Sequence, residues 1–299
     1  MPAVKPLRTA FDALSRNPVL FLGGLVYATL LLPQRATQLA GVPIVPVLFQ
    51  VVTFVVTPFV VAGVVGMAQT ALDGDASLDA LRSTGRERYV DLLLASFLEF
   101  GIQLVFGVAL LVLGLVLLVA AGGGSPATLV GAGVVVALVC AYLAVLFLIQ
   151  FYPVVVVVDD ADAVESVTRS VEFVRGNVLD TLGYTLVTVV AGGIAALPVS
   201  GFVAYRSVTS GPSTGGTPGP IGGGMSGGGM GAGAGGPATL DALTGTGMGL
   251  GLSTPEVVAL SLVSVATTAL FFAFHQTYAT AFYRRNGRSV EERVLGEDV

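Results

Sequence analysis

Charged residues, cysteine and histidine are scarce in this chain, and each scarcity excludes a class of protein or site. Only 11% of the 299 residues are charged, against about a quarter in a soluble domain, so polar surface cannot cover a globule of this size. Cys140 and His275 each occur once, which excludes an intrachain disulfide, a cysteine metal cluster and the usual His/Cys zinc ligand sets. We therefore expect no metal and no cofactor.

Lysine is almost absent as well, because Lys5 stands against thirteen arginines. With a net charge of −5 and a pI near 4.8, the chain resembles proteins of halophilic archaea, which tend to use arginine in place of lysine. A high-GC bacterium is the alternative source. No basic face exists to meet phosphates, so we expect no nucleic-acid partner.

Apolar residues, by contrast, are abundant and occur in six long runs. Hydrophobic residues make up 54% of the chain and the mean hydropathy is +0.87, so lipid is the expected solvent for much of it. Each run can cross a hydrocarbon core of about 30 Å, some with tilt. The runs cover residues 18–33 (continuing towards 40), 45–70, 92–121, 129–158, 178–204 and 257–282. The predicted fold is all-α: a polytopic six-helix transmembrane bundle with short amphipathic cytoplasmic helices.

The placement of basic residues predicts the orientation of this bundle. Twelve of the fourteen Lys and Arg residues fall in the two terminal segments and in the loops after the second and fourth runs, whereas Arg35 and Arg206 fall on the other side. Because cytoplasmic loops carry the excess of Lys and Arg, we expect a multi-pass protein of the cell membrane with both termini cytoplasmic. A cleaved signal peptide at the first run is disfavoured, since no small-x-small site follows it.

The chain therefore divides into spans, cytoplasmic segments and one external loop. That loop is rich in glycine and has too few apolar side chains to offset its ordering entropy, so we predict disorder there. The divisions are a cytoplasmic amphipathic N-terminus (1–17), spans one to five (18–204) with cytoplasmic loops at 71–91 and 159–177, the external loop (205–254), span six (255–283) and a cytoplasmic tail (284–299).

The stretch PVVVVVDDADAVESVTRSVEFVRGN, residues 153–177, contains the second cytoplasmic loop. Its valines continue the fourth apolar run, so we interpret them as the last turns of a helix, and the aspartates that follow as its exit into water. A cation site on those aspartates is the alternative. The later residues predict a surface helix with these features: a cap at Asp162, an apolar stripe of Val164, Val167, Val171 and Val174, an i,i+4 pair of Glu165 and Arg169, an end at Gly176 and a cap for span five at Asn177.

The first cytoplasmic loop has a similar layout, with Ser77 as the predicted cap of a short helix. Together with the NPVLF start and the residues AVESVTRSVEFVRGN, this loop resembles a family of haloarchaeal multi-pass membrane proteins of unknown function. That family is similar to the membrane domain attached to some glycerophosphoryl diester phosphodiesterases. The matching positions are Glu165, Arg169, Ser170, Arg175, Gly176 and Asn177. Because the chain has no phosphodiesterase barrel, the resemblance implies a fold and a location but no catalytic residues.

Polar residues inside the spans are few, and each is a candidate for function because it is costly to place in lipid. Glu99 in span three, Gln150 in span four and His275 in span six are predicted at a similar depth in the inner leaflet, where they can meet as a polar cluster. In a functional cluster, Glu99 and His275 form a proton-responsive or substrate-coordinating pair. The alternatives are a structural pair, or a Glu99 that is neutral or reaches the interface.

Small residues predict where the helices pack closely. Gly133, Ala137 and Ala141 form one such stripe in span four, and Ala62 with Gly66 forms another in span two. Cys140 lies beside the first stripe, which favours a small buried residue over a redox site.

These features favour a non-enzymatic integral membrane protein that presents its cytoplasmic helices to a lipid or protein partner. Glu165, Arg169 and Arg175 are the candidate partner surface. The alternative is a small-solute transporter or exporter that uses the inner-leaflet cluster and has helix breaks at its span prolines. A membrane enzyme comes third, because the sequence shows no nucleophile-base or metal constellation.

Overall fold

The computed structural model describes residues 4–39, 45–120, 126–209 and 254–295. All elements in these ranges are helices, and no strand occurs in them, so the predicted all-α class is confirmed. The helices are α1 (Val4–Arg16), α2 (Val19–Leu39), α3 (Val45–Asp73), α4 (Leu78–Glu87), α5 (Tyr89–Ala120), α6 (Pro126–Ile149), α7 (Tyr152–Val158), α8 (Ala163–Gly176), α9 (Val178–Thr209) and α10 (Thr254–Leu295).

Six segments within these helices are long and apolar enough to cross a membrane, and each overlaps one run predicted from the sequence. They are Val19–Thr37, Pro46–Asp73, Tyr89–Leu117, Val130–Val158, Val178–Phe202 and Pro255–Gly287. The chain is thus compatible with a multi-pass membrane protein. The short helices α1, α4 and α8 lie outside these segments.

The core of the bundle is built on α3 and α7. Every residue from 60 to 68 of α3 is buried, and so is every residue of α7 from Tyr152 to Val157. The valine run is therefore the central rod of the bundle, and the predicted helical conformation of these valines is confirmed.

Close approach to α3 depends on small residues. A Cβ atom added to Gly63 would overlap the carbonyl oxygen of Leu81 on α4, and one added to Gly66 would overlap the side chain of Thr84. The predicted packing stripe of Ala62 and Gly66 is therefore confirmed, with Gly63 as a further member. On α2, a Cβ at Gly24 would overlap the carbonyl of Ala269 on α10.

The small-residue stripe predicted for span four does not pack in this way. Gly133, Ala137, Ala141 and Cys140 are all exposed, and nothing lies within 4 Å of a Cβ placed at Gly133. The prediction of a buried Cys140 is wrong because α6 meets α5 through another face, on which Gly131 lies against Leu117.

Span four is also interrupted, although the sequence predicted one helix over 129–158. α6 ends at Ile149 and α7 begins at Tyr152. Pro153 explains the interruption, because a proline ring clashes with the carbonyl four residues earlier and supplies no N–H for the helical ladder. The helix therefore turns at Gln150 and Phe151.

Two helices run past the boundaries expected for the spans. α9 continues to Thr209, five residues beyond the predicted end of span five at residue 204, and α10 continues to Leu295, into the predicted cytoplasmic tail. The rest of the predicted disordered loop, residues 210–253, lies outside the described residues.

Candidate functional site

The break between α6 and α7 is held by a side chain from α8. The backbone N–H of Phe151 donates to Oγ of Ser170 at 3.2 Å, and the Ser170 hydroxyl donates to the carbonyl of Leu148 at 2.9 Å. Ser170 is fully buried. One hydroxyl thus satisfies a donor and an acceptor that the interrupted helix would leave without partners.

The residues on either side of Phe151 bond to two other helices. The Gln150 side chain accepts from the Thr185 hydroxyl of α9 at 3.2 Å, and its amide donates to the carbonyl of Phe147. The Tyr152 hydroxyl donates to Oε2 of Glu99 on α5 at 2.7 Å. Three consecutive residues therefore connect the break to α9, α8 and α5, and we call this arrangement the break cluster.

Glu99 is the one carboxylate of the break cluster, and it is only 5% exposed. Its Oε1 accepts from Nε2 of Gln103 at 3.1 Å, while Ser96 lies 3.4 Å from the Tyr152 hydroxyl. Among the described residues no cation forms an ion pair with Glu99. An ionised carboxylate is costly in such surroundings. The donors to its two oxygens are both neutral: the hydroxyl of Tyr152 and the side-chain amide of Gln103.

His275 joins this region through α9. Its Nε2 lies 3.1 Å from the hydroxyl of Tyr184, the residue before Thr185, and its ring stacks on Phe271 with centroids 5.8 Å apart. His275 is 6% exposed.

The three polar residues predicted to cluster therefore have different immediate partners. No hydrogen bond or ion pair in the described structure joins Glu99, Gln150 and His275 to one another. They are related through the break cluster instead, because Gln150 belongs to the break and Glu99 bonds to it, while His275 bonds to the neighbour of Thr185. A proton-responsive or substrate-coordinating role for them stays a prediction.

The short helices are fastened together at one end of the bundle. Asn17, which follows α1, donates to the carbonyl of Gly74 at 3.2 Å and accepts from the N–H of Ala76 at 2.9 Å. Arg284 of α10 forms a two-pronged pair with Asp73, with distances of 2.8 and 3.0 Å. We call this region, where α1, α4 and α8 meet the ends of the spans, the loop-helix end.

The aspartates after α7 take part in the same fastening. Tyr283 donates to Asp159 at 2.5 Å, and Arg88 pairs with Asp160. Asp162 accepts from the N–H groups of Val164 and Glu165, so its predicted role as the cap of α8 is confirmed. The described residues contain no group of three or more His, Cys, Asp or Glu side chains arranged to hold a metal, and each of these aspartates already has a partner.

On α8, the predicted pair of Glu165 and Arg169 is confirmed at 2.5 Å, and Arg169 also lies 3.6 Å from Asp159. Slight burial lowers the pKa of Arg169, but the hydrogen bond and charge of Glu165 and the charge of Asp159 outweigh this and raise it. Two residues of the predicted partner surface are thus engaged within the protein. The third, Arg175, is exposed.

The buried face of α8 differs from the predicted valine stripe. Val174 of that stripe is buried and Val167 packs against the core, as predicted, but Val164 is 68% exposed. The other buried residues of α8 are Ser166, Ser170 and Phe173. The valine pattern did not predict the whole buried face, because the helix break that packs against α8 needs the hydroxyl of Ser170 and not a methyl group. Asn177 was also predicted to cap span five, but its side chain donates to the carbonyl of Phe173 and so closes α8. Gly176 does end that helix, as predicted.

Sequence reasoning missed several residues with structural partners inside the bundle. Tyr152, Tyr184 and Ser170 looked like ordinary members of their helices, although the proline at 153 could have pointed to unsatisfied backbone nearby. Arg35 was used only to orient the spans, as one of two basic residues on the non-cytoplasmic side, but in α2 its Nη1 donates to Ser264 at 2.8 Å and to Thr268 at 2.6 Å.

Comparison with known protein families decides where this architecture belongs. A family model described as a domain of unknown function, DUF7847, matches residues 1–286. The chain belongs to the DUF7847 family. Neither the curated proteins nor the solved structures contain a match to it. Membership in DUF7847 carries no activity, so the resemblance to phosphodiesterase membrane domains and the halophilic source stay predictions.

Proposed function

We propose that this DUF7847 protein is a non-enzymatic, multi-pass protein of the cell membrane that presents α1, α4 and α8 at its cytoplasmic end to a lipid or protein partner. The observation that carries the proposal is the set of basic side chains on these helices. Arg8, Arg82, Arg86 and Arg175 are exposed, and none of them has an ion-pair or hydrogen-bond partner in the described part of the chain.

Apolar side chains accompany those arginines on the same three helices. Val4 is 51%, Phe11 57%, Leu78 49% and Val164 68% exposed. A short helix with arginines beside exposed apolar residues suits an interface where charged groups meet apolar ones, either at lipid head groups or on an acidic protein surface.

The fastening of the loop-helix end supports the same function. Contacts through Asn17, Arg88 and Arg284 fix α1, α4 and the end of α10 relative to one another. A preorganised surface binds with less loss of conformational entropy than a mobile one. The four unengaged arginines are therefore presented on a fixed frame.

Site-specific photocrosslinking tests this function. A photoreactive residue at Val164 should capture a defined partner in membranes of the native host. The yield of that crosslinked adduct should fall several-fold when Arg175 is changed to Gln. Arg169 is unsuitable for this test, since its loss would also release α8 from Asp159. The control position is Ala137, exposed on α6. Identical bulk-lipid adducts from Val164 and Ala137 would contradict the proposal.

A transporter is the second candidate, and the interrupted fourth span favours it. Discontinuous helices with polar residues at the break form substrate sites in many transporters, and Glu99 lies beside this break without a cation. Proton flux into proteoliposomes under an imposed potential tests this function. Flux that falls at least about tenfold in Glu99→Gln, but persists in the exposed control Glu172→Gln, would favour transport; no flux above empty vesicles would exclude proton coupling.

A further inference from the structure

Arg35 has an unusual position for a cation near the end of a candidate span. It lies two residues before the end of the segment Val19–Thr37 and is half-buried. Its acceptors, Ser264 and Thr268, follow the start of the sixth segment at Pro255 by nine and thirteen residues. At 1.5 Å per residue these hydroxyls are about 14 and 20 Å along α10 from that point.

The guanidinium group therefore points into the bundle. Long basic side chains near the end of a span usually extend to the nearer interface, where water hydrates the charge. Two hydroxyl groups accept hydrogen bonds but carry no charge. None of the carboxylates that the structure describes forms an ion pair with Arg35, so its positive charge is not neutralised by them.

The hydrogen bonds of Arg35 leave one edge of the group unused. Both of its bonds, to Ser264 and Thr268, involve Nη1, and no described residue accepts from Nε or Nη2. These two nitrogens present parallel N–H groups along one side of the planar guanidinium. That spacing matches two oxygens of a carboxylate or phosphate, which arginine binds in a bidentate manner.

Other buried polar side chains lie near Arg35 in the sequence of α2 and near its acceptors on α10. Gln34, 9% exposed, donates to Gln50 of α3 at 2.5 Å. Ser261 is 8% exposed, and its hydroxyl has no hydrogen-bond partner in the described structure. Since Ser261 precedes Ser264 by three residues and Thr268 by seven, the three hydroxyls share one face of α10.

The two helices that carry Arg35 and its acceptors, α2 and α10, are in close contact. Tyr27 of α2 stacks on Phe272 of α10 with ring centroids 3.9 Å apart, and Gly24 lies against the backbone of Ala269. These contacts hold α2 and α10 together in the same interface that contains the bonds of Arg35 to Ser264 and Thr268. We call the site formed by Arg35 and the hydroxyls of Ser261, Ser264 and Thr268 the Arg35 pocket.

We propose that the Arg35 pocket binds an oxyanion, a phosphate or carboxylate group, on the free Nε and Nη2 edge of Arg35. The group comes from a small anion in solution or from a lipid head group, and the chemistry of recognition is the same for both. This site lies at the end of α2 remote from the loop-helix end, so it is independent of the function proposed above.

Thermal unfolding of the full chain in an uncharged detergent tests the soluble source. Inorganic phosphate should raise the midpoint of the circular-dichroism transition saturably in the wild type, relative to chloride at equal ionic strength. Arg35→Lys keeps the charge but loses the two-pronged edge, so its affinity for phosphate should fall about tenfold or more. Arg285→Lys, at an exposed position on α10, is the matched control and should behave as the wild type.

Native mass spectrometry tests the lipid source. The wild type, released from vesicles of phosphatidylglycerol and an uncharged glycolipid, should retain one phosphatidylglycerol more than Arg35→Lys does, with no difference for the glycolipid. A phosphate response without lipid retention identifies a soluble oxyanion, and retention without a phosphate response identifies a lipid head group. Both results support the proposal.

Equal phosphate response and equal lipid retention in the wild type and Arg35→Lys would overturn it. If Arg35→Lys does not fold, the double variant Ser264→Ala, Thr268→Val replaces it. This variant leaves Arg35 in place but removes the acceptors that orient it, so oxyanion affinity should fall several-fold. Unchanged affinity in that variant would equally count against the pocket.

Discussion

Helices α3 and α5 are both strongly apolar, yet they occupy opposite environments in the bundle. Residues 60–68 of α3 are buried without exception, whereas in residues 100–117 of α5 only Leu110 is buried. The two helices differ in how their glycines are used. Gly63 and Gly66 of α3 allow α4 to pack closely against them, whereas the glycines of α5 at 101, 107 and 114 face open space. Hydropathy alone therefore does not separate the core of this bundle from its periphery.

The largest expected effect comes from filling a glycine contact of α3. Gly63→Leu should lower the free energy of unfolding by about 3 kcal/mol, because the added side chain forces α4 away from α3. Reversible unfolding in mixed micelles, followed by circular dichroism, measures the change. Gly107→Leu on α5 has nothing within 4 Å of its Cβ and should leave stability almost unchanged. Equal losses in the two variants would remove the contrast between these helices.

Removal of the hydroxyl at the helix break should have the next largest effect. Ser170→Ala leaves the Phe151 N–H and the Leu148 carbonyl without their partner, which should lower the free energy of unfolding by about 2 kcal/mol. Thr168→Ala, at an exposed position of α8, serves as the control. Protection of the Phe151 amide from hydrogen exchange should fall in the Ser170 variant alone; unchanged protection there would show that the hydroxyl does not hold the break.

A third prediction concerns the hydrogen bond between Tyr152 and Glu99, which we expect to hold the first half of α5 against the rest of the bundle. Tyr152→Phe and Glu99→Gln, measured singly and together, form a double-mutant cycle with an expected coupling energy of about 1 kcal/mol. The coupling should be absent for the pair Tyr152→Phe and Thr168→Ala, since the Thr168 hydroxyl bonds only to the carbonyl of Val164 and shares no partner with Tyr152. A coupling near zero in the first cycle would mean that α5 is held by apolar contacts only.

The smallest expected effect concerns the turn that connects α7 to α8. Asp160 has φ of 57°, a left-handed conformation that Asp and Asn tolerate better than other non-glycine residues. Asp160→Asn keeps this tolerance and loses only the exposed pair with Arg88, so stability should fall by about 0.5 kcal/mol or less. Asp160→Val also strains the backbone and should cost about 1–2 kcal/mol more. Thermal unfolding at low and high salt separates the two contributions.

The sequence predicted those features that depend on neighbouring residues. Six apolar runs, the caps at Ser77 and Asp162, and the pair of Glu165 and Arg169 all follow from local spacing, and the structure contains each of them. Capping and i,i+4 contacts need only the helix that contains them.

Features that depend on distant residues were not predictable in the same way. The buried face of α8 is decided by the break in span four, and an apolar stripe read from valines alone places Val164 on the wrong side. Arg35 was used only to orient the spans, because its hydrogen-bond partners lie 229 and 233 residues away in the sequence. Because lipid accepts the same residues as the core does, no polar face on a span marks the direction of the interior.

The contact between α2 and α10 also has a consequence for how the protein is made. At about 5–20 residues per second, the ribosome needs on the order of 10–50 s to produce the hydroxyls of α10 after Arg35 has been synthesised. During that interval the first span can pack against α3, through contacts such as Gln34 to Gln50, but it lacks its partners on α10. The bundle therefore closes only after translation of its last helix, and a chain that stops before α10 should be recognised by quality-control proteases as an unfinished assembly.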